Sequence, residues 1–186
     1  MIKRILILFA IAQLSMMGYS QTPKWAEKAK KAVFSVVTYD ANDKILNTGN
    51  GFFISEKGVA ISDYALFKNA QRAVIITSEG EKMPVKAILG ANDMYDVVKF
   101  SVDITSKKVA NLTLSETPMT DGTKLWLLPY STQKVRSLTS GNVNSVDKIS
   151  DYAYYTINLP LKEKMVSCPL MNDEGLVVAL AQKASG

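Results

Sequence analysis

A hydrolytic site needs a nucleophile, a group that takes protons near neutrality, and a third group to orient the pair. This sequence lacks the usual proton acceptor: its 186 residues include no histidine. The nucleophile candidates that stand out are Ser167 and the one cysteine, Cys168, adjacent to each other and close behind Lys164. Lys164 or Lys99 would serve as a base only if desolvation lowered its pKa. Lys164 sits in the polar run Leu161-Lys162-Glu163-Lys164, which reads as water-facing. A serine or cysteine hydrolase of this improvised kind is therefore the least favoured reading. With no second cysteine to pair with, Cys168 reads as a small buried hydrophobe.

Other chemistries find less support. Without histidine, and with one cysteine and no carboxylate cluster at ligand spacing, no metal site is expected. No glycine-rich phosphate loop or dinucleotide fingerprint is present, so no cofactor is expected. The formal charge of +5 includes Lys3 and Arg4. The densest basic cluster, Lys28-Ala29-Lys30-Lys31, lacks arginine and the interleaved aromatics of a nucleic-acid groove. It reads as a solvated face, and no nucleic acid is expected as a partner.

The first twenty residues are of another kind. Lys3 and Arg4 head an uncharged, mostly apolar stretch, and Gly18-Tyr19-Ser20 places small residues where a signal peptidase reads. The stretch is shorter than the roughly 20 apolar residues of a membrane span. Residues 1–20 thus read as a signal peptide cleaved after Ser20. The mature protein is expected to be exported to the periplasm or the medium, with no stable membrane span.

The mature chain reads as strands. Residues 25–32 form a short helix leading into the β-branched and aromatic run Val33-Phe34-Ser35-Val36-Val37-Thr38-Tyr39. Two hairpins follow, Phe52-Phe53-Ile54-Ser55 with Val59-Ala60-Ile61-Ser62, and residues 73–77 with 83–88. Further strands are expected over residues 97–102, 124–128, 135–146, 152–159 and 175–181. Gly141 marks a bulge or a close backbone approach. Residues 63–69 allow at most one or two helical turns, and 105–120 read as a crossover between two halves. Many short strands with little helix specify an all-β fold of sandwich or barrel type.

Four segments, in order, resemble the HtrA (DegP) branch of the trypsin-like serine proteases. They are Gly51 through Ser62, the stretch around Asp96-Val97-Val98, Thr139-Ser140-Gly141-Asn142-Val143-Asn144-Ser145, and Cys168-Pro169-Leu170-Met171-Asn172-Asp173-Glu174-Gly175. The resemblance implies two six-stranded β-barrels with a cleft between them. It divides the mature chain into a first barrel with its short helix (21–108) and a second barrel (109–186). The family continues with another strand beyond the position of Ala181, so the second barrel is expected to be incomplete or closed differently.

In the same register the family's catalytic histidine falls at Ala65, its aspartate at Asp96 and its nucleophile at Val166. An alanine methyl cannot take a proton and a valine side chain cannot attack. The glycines flanking the family's nucleophile are replaced by Lys164, Ser167 and Cys168, so the oxyanion-binding turn is expected to be malformed as well. Loss of one triad member already costs on the order of 10⁴–10⁶ in rate. The expectation is a degenerate protease domain that binds an extended peptide or a protein partner in its cleft. Tyr64, Phe67, Tyr130, Tyr155, Ser167 and Cys168 are the candidate contacts. The alternative is a purely structural domain of an envelope assembly.

Overall fold

The alternation that marks the hairpins becomes antiparallel pairing in a computed structural model. It describes residues 22–105, 107–133, 138–149, 152–159 and 161–182. The signal-peptide stretch and residues 135–137 of the expected eighth strand lie outside these. A short helix, α1 (Ala26–Lys30), precedes six strands: β1 (Val33–Tyr39), β2 (Ile45–Phe53), β3 (Val59–Ser62), β4 (Arg72–Ile76), β5 (Lys82–Asn92) and β6 (Val97–Val102). They close into a barrel in the order β1-β2-β3-β6-β5-β4. Its interior is filled by Phe34, Phe53, Phe100, Ile75, Val36 and Val98. The Phe34 ring lies 4.7 Å from Phe53 and 6.3 Å from Phe100, both in tilted or edge-on contact. Each buried phenylalanine contributes roughly 2–3 kcal/mol of transfer free energy, which is why this cluster anchors the barrel.

β2 begins earlier than the apolar pattern suggested. It runs from Ile45 through Gly49 and Gly51, which pair with Val36 and Phe34 of β1. A Cβ at Gly51 would stand 2.6 Å from the Phe34 ring and 3.0 Å from the Ile61 carbonyl oxygen. The glycine therefore marks a close approach inside the strand, where a turn would otherwise be read.

The second half contains β7 (Lys124–Leu127), β8 (Thr139–Ile149), β9 (Tyr152–Ile157), β10 (Pro169–Met171) and β11 (Val177–Leu180). They form a five-stranded sheet in the order β11-β10-β7-β8-β9. This sheet curls around Leu125, Leu127, Val143, Leu159, Cys168 and Leu170. Its end strands β9 and β11 are not paired with each other among the described residues, which leaves a seam in the second barrel. Gly141 does sit at a close approach, its Cβ position 2.7 Å from Asn158 Oδ1, and the register shift in β8 comes later, between Val143 and Ser145.

A third cluster joins the halves. Ala29, Ala32, Val33 and Phe52 meet Trp126, Leu128, Met171 and Val177. The chain entering α1 is tied to the second half by Trp25, whose Nε1 donates to Asp173 O at 3.0 Å, while Trp126 Nε1 donates to Asp173 Oδ1 at 2.6 Å. The result is an all-β double barrel with a mixed core between its halves.

Candidate functional site

The site is built where the end of β3 meets the loop before β10. β3 ends on Ser62, and a single 3-10 turn, Tyr64–Leu66, follows Asp63. An aspartate there would ordinarily cap the turn. Asp63 has the extended backbone of a cap, yet its side chain makes no capping bond. It crosses instead to the second barrel, where Ser167 Oγ donates to Asp63 Oδ2 at 2.6 Å. Both residues are buried, Asp63 at 3% exposure and Ser167 at 0%.

Asp96, in the turn before β6, takes over at the 3-10 turn. Its Oδ1 accepts from the Ala65 backbone N–H at 2.6 Å, and its own carbonyl accepts from Tyr64 N at 3.3 Å. Asp96 adopts φ +48°, in the left-handed region. The carboxylate therefore lies beside Ala65, but it holds the backbone of that residue and has no ring to orient.

The loop carrying Val166 is fastened from both sides. A second 3-10 turn spans Glu163–Met165. Asn50, buried in β2, donates its side-chain amide to Lys164 O at 3.0 Å and Val166 O at 2.7 Å. Ser62 Oγ donates to Asn50 O at 2.6 Å, so the residue holding the loop is itself held. The N–H groups of Met165, Ser167 and Cys168 are spent on Lys162 O, Ala181 O and Met165 O. Ser167 stands at φ +65°, a left-handed conformation costly for a residue with a Cβ.

Burial pushes the Asp63 carboxyl up to about 6, with the neighbouring Asp96 charge adding to the rise and the Ser167 hydrogen bond opposing it. The Gln182 amide also tempers the charge. Its two hydrogens, however, are taken by Tyr95 O at 3.0 Å and Asp96 O at 3.1 Å. Asp63 Oδ1 is buried with no hydrogen-bond partner among the described residues. The Cys168 thiol is fully buried and pushed up to about 12, chiefly by desolvation.

The aromatic candidates are distributed around this junction. Tyr64 and Phe67 pack against the first barrel's core, Phe67 with its ring 4.9 Å from Phe100. Tyr130 packs on the inter-barrel cluster, its hydroxyl donating to Thr77 O at 3.3 Å. Tyr155 packs on the second core, its hydroxyl accepting from Met119 N at 3.2 Å. Another aromatic group lies elsewhere: half-buried Tyr95 stacks on the exposed Tyr152 at 3.8 Å and lies 6.3 Å from Tyr154. It bridges the turn before β6 and the end strand β9. Sequence reasoning placed Tyr152 and Tyr154 in a strand but could not pair them with Tyr95, which is more than fifty residues away.

This frame has known counterparts. Residues 49–180 match the trypsin-like peptidase domain family. The chain belongs to that family. No curated protein matches the sequence. The match begins in β2 and ends with β11, so it covers strands of both halves other than β1, and it includes Asn50, Asp63, Asp96 and Ser167 of the junction. Among the described residues, no group of three or more potential ligands is placed to hold a metal ion. No helix there is long and apolar enough to cross a membrane.

Proposed function

We propose that this trypsin-like domain is a degenerate, non-catalytic member of the HtrA kind, exported from the cell, that binds an extended peptide or protein partner at its inter-barrel cleft. The observation that carries the reading is the state of the nucleophile positions. Val166 has no hydroxyl, and the adjacent Ser167 and Cys168 are both at 0% exposure. A nucleophile must meet its substrate, and a thiol raised to about 12 is not ionised at neutral pH. Ser167 is also committed to Asp63. In the binding reading Ser167 and Cys168 shape the cleft from behind, while Tyr64, Phe67, Tyr130 and Tyr155 contribute the edges they leave uncovered.

Among the described residues one backbone edge of β9 is unpaired, which supports peptide binding, because such an edge can accept an extended segment through main-chain hydrogen bonds. Tyr152 and Tyr154 on that strand are 49% and 37% exposed, which leaves aromatic surface for a ligand's side chains. A fluorescence-polarisation screen of labelled extended peptides against the purified protein tests this. Saturable binding weakened by Tyr154→Ala supports the reading, and a screen without saturable binding counts against it. The second reading, a structural domain of an envelope assembly, is favoured by the Asn50 and Asp63 contacts that fasten the cleft loop. It predicts a stable complex with another envelope chain and no affinity for free peptides. Export itself is checked by the intact mass of secreted protein, which should lack residues 1–20.

A further inference from the structure

We propose that the outer edge of β5, from Val85 to Leu89, is a docking site for an acidic, extended segment of another protein, which adds there as a strand. The site lies on the first barrel and does not rest on the inter-barrel or β9 reading.

The barrel is closed unevenly on this side. β4 and β5 pair over Val74 with Pro84, Ile75 with Met83 and Ile76 with Lys82. β5 continues to Asn92 against β6, and register shifts between Val85 and Ala87 and between Ile88 and Gly90 bend it. Arg72 and Ala73, which pair with β1, have no partner on β5. The gap is a groove of about 280 Å³, lined by the apolar Phe67, Ala73, Val85 and Ile88 and by the cations Arg72 and Lys86. Ile88 stands opposite Phe100, which fills the barrel, so it belongs to the same inner face. It is nevertheless 50% exposed, as is Leu89 beside it. The edge thus offers unpaired main-chain groups next to uncovered apolar side chains, which is what an added strand uses.

Charge selects the occupant. β4, β5 and β6 together carry Arg72, Lys82, Lys86 and Lys99 and no carboxylate. Arg72 is held by Asp43 at 2.7 Å. Lys82, Lys86 and Lys99 are exposed and form no ion pair among the described residues. A second copy would bring the same cations to the same edge, and a lysine on an edge strand opposes such self-pairing. A strand with apolar residues on one face and Asp or Glu on the other meets both requirements. Its apolar face enters the groove beside Ile88, and its carboxylates meet Lys86 within the field of Lys82 and Lys99.

Fluorescence polarisation of the purified protein with a labelled peptide of about eight residues, alternating valine and glutamate, provides the test. The same peptide with lysine for glutamate is the control. The glutamate peptide should bind saturably, and more weakly as salt rises from about 0.01 M to about 1 M; the lysine peptide should not bind. Lys86→Glu should weaken binding roughly tenfold, and Tyr154→Ala should leave it unchanged. Hydrogen exchange locates the strand: bound peptide should slow exchange within residues 85–89 and leave residues 152–157 as they were. If Lys86→Glu fails to fold, the salt dependence and the exchange pattern of the wild type decide. Binding that Tyr154→Ala removes, with protection on β9, would overturn the proposal and leave the β9 reading standing. Equal binding of both peptides or no saturable binding would also overturn it. So would protection of residues 85–89 that rises with protein concentration in the absence of peptide, which marks a second copy as the occupant.

Discussion

Asn50 offers the sharpest perturbation of the loop that carries Val166. Its side-chain amide serves two carbonyls, Val166 O at 2.7 Å and Lys164 O at 3.0 Å, from a side chain only 6% exposed. Asn50→Leu keeps the branched shape at a somewhat larger volume and removes both donors. A net hydrogen bond is worth about 0.5–1.5 kcal/mol, and stranding a buried acceptor costs about 1–3 kcal/mol. Lys164 is exposed and its carbonyl can turn to water, whereas Val166 is half-buried and its carbonyl is the one stranded. The loss should therefore be about 2–4 kcal/mol. Asn50→Asp is harsher at pH 7, because a carboxylate oxygen then faces two carbonyl oxygens without a proton to share. Burial and those carbonyls raise the pKa of the introduced carboxyl, so its penalty should shrink toward pH 4 as a proton becomes available to donate. Urea denaturation of the two variants and wild type at pH 7 and pH 4 measures both effects. If Asn50→Asp is as stable as wild type at pH 7, the amide does not hold this loop and the account of the site is wrong.

Three other outcomes follow from particular contacts. Gly175→Ala should destabilise by about 2–4 kcal/mol in the same assay, because Gly175 has φ +81° and its Cβ position lies 2.7 Å from the Trp25 ring. Cys168 should resist a thiol reagent at pH 8 in the native protein and react stoichiometrically once unfolded, since it is fully buried and pushed up to about 12; rapid native labelling would instead mark a reachable nucleophile. The double variant Ala65→His with Val166→Ser should remain far below a family protease in peptidase assays. Asp96 would stand beside the new base, but the loop's N–H groups at Met165, Ser167 and Cys168 remain engaged within the fold; further glycines at 164, 167 and 168 should raise its rate.

The hairpins were legible because each buries one face, so apolar alternation and a turn appear together in the sequence, as in β2 with β3 and β4 with β5. β10 was not legible as a strand: three residues beginning with Pro169 carry no period. Its family segment revealed the place but not the pairing with β7 and β11. The Ala65, Asp96 and Val166 assignments came from local motifs, and the contact of Asp96 with the Ala65 backbone lies within reach of such reasoning. The Asp63–Ser167 bond was beyond it. Its partners are 104 residues apart, and Asp63 looks like an ordinary cap for the turn that follows. The one local signal was an aspartate directly after a strand of otherwise buried or half-buried residues, ending on the buried Ser62. Asn50 was hidden for a similar reason, flanked by glycines that mark close packing while giving no hint of what its amide would meet.

The central claim is that a trypsin-like frame here carries no peptidase chemistry. The direct measurement is turnover of an unstructured protein such as casein by the purified native chain, beside a heat-killed control and the Ser167→Ala and Cys168→Ala variants. The account predicts no turnover above the control in any of them, because Val166 has no nucleophile to offer and Ser167 and Cys168 are sealed in the barrel junction. Turnover by the native chain that survives repurification and disappears in either variant would contradict it.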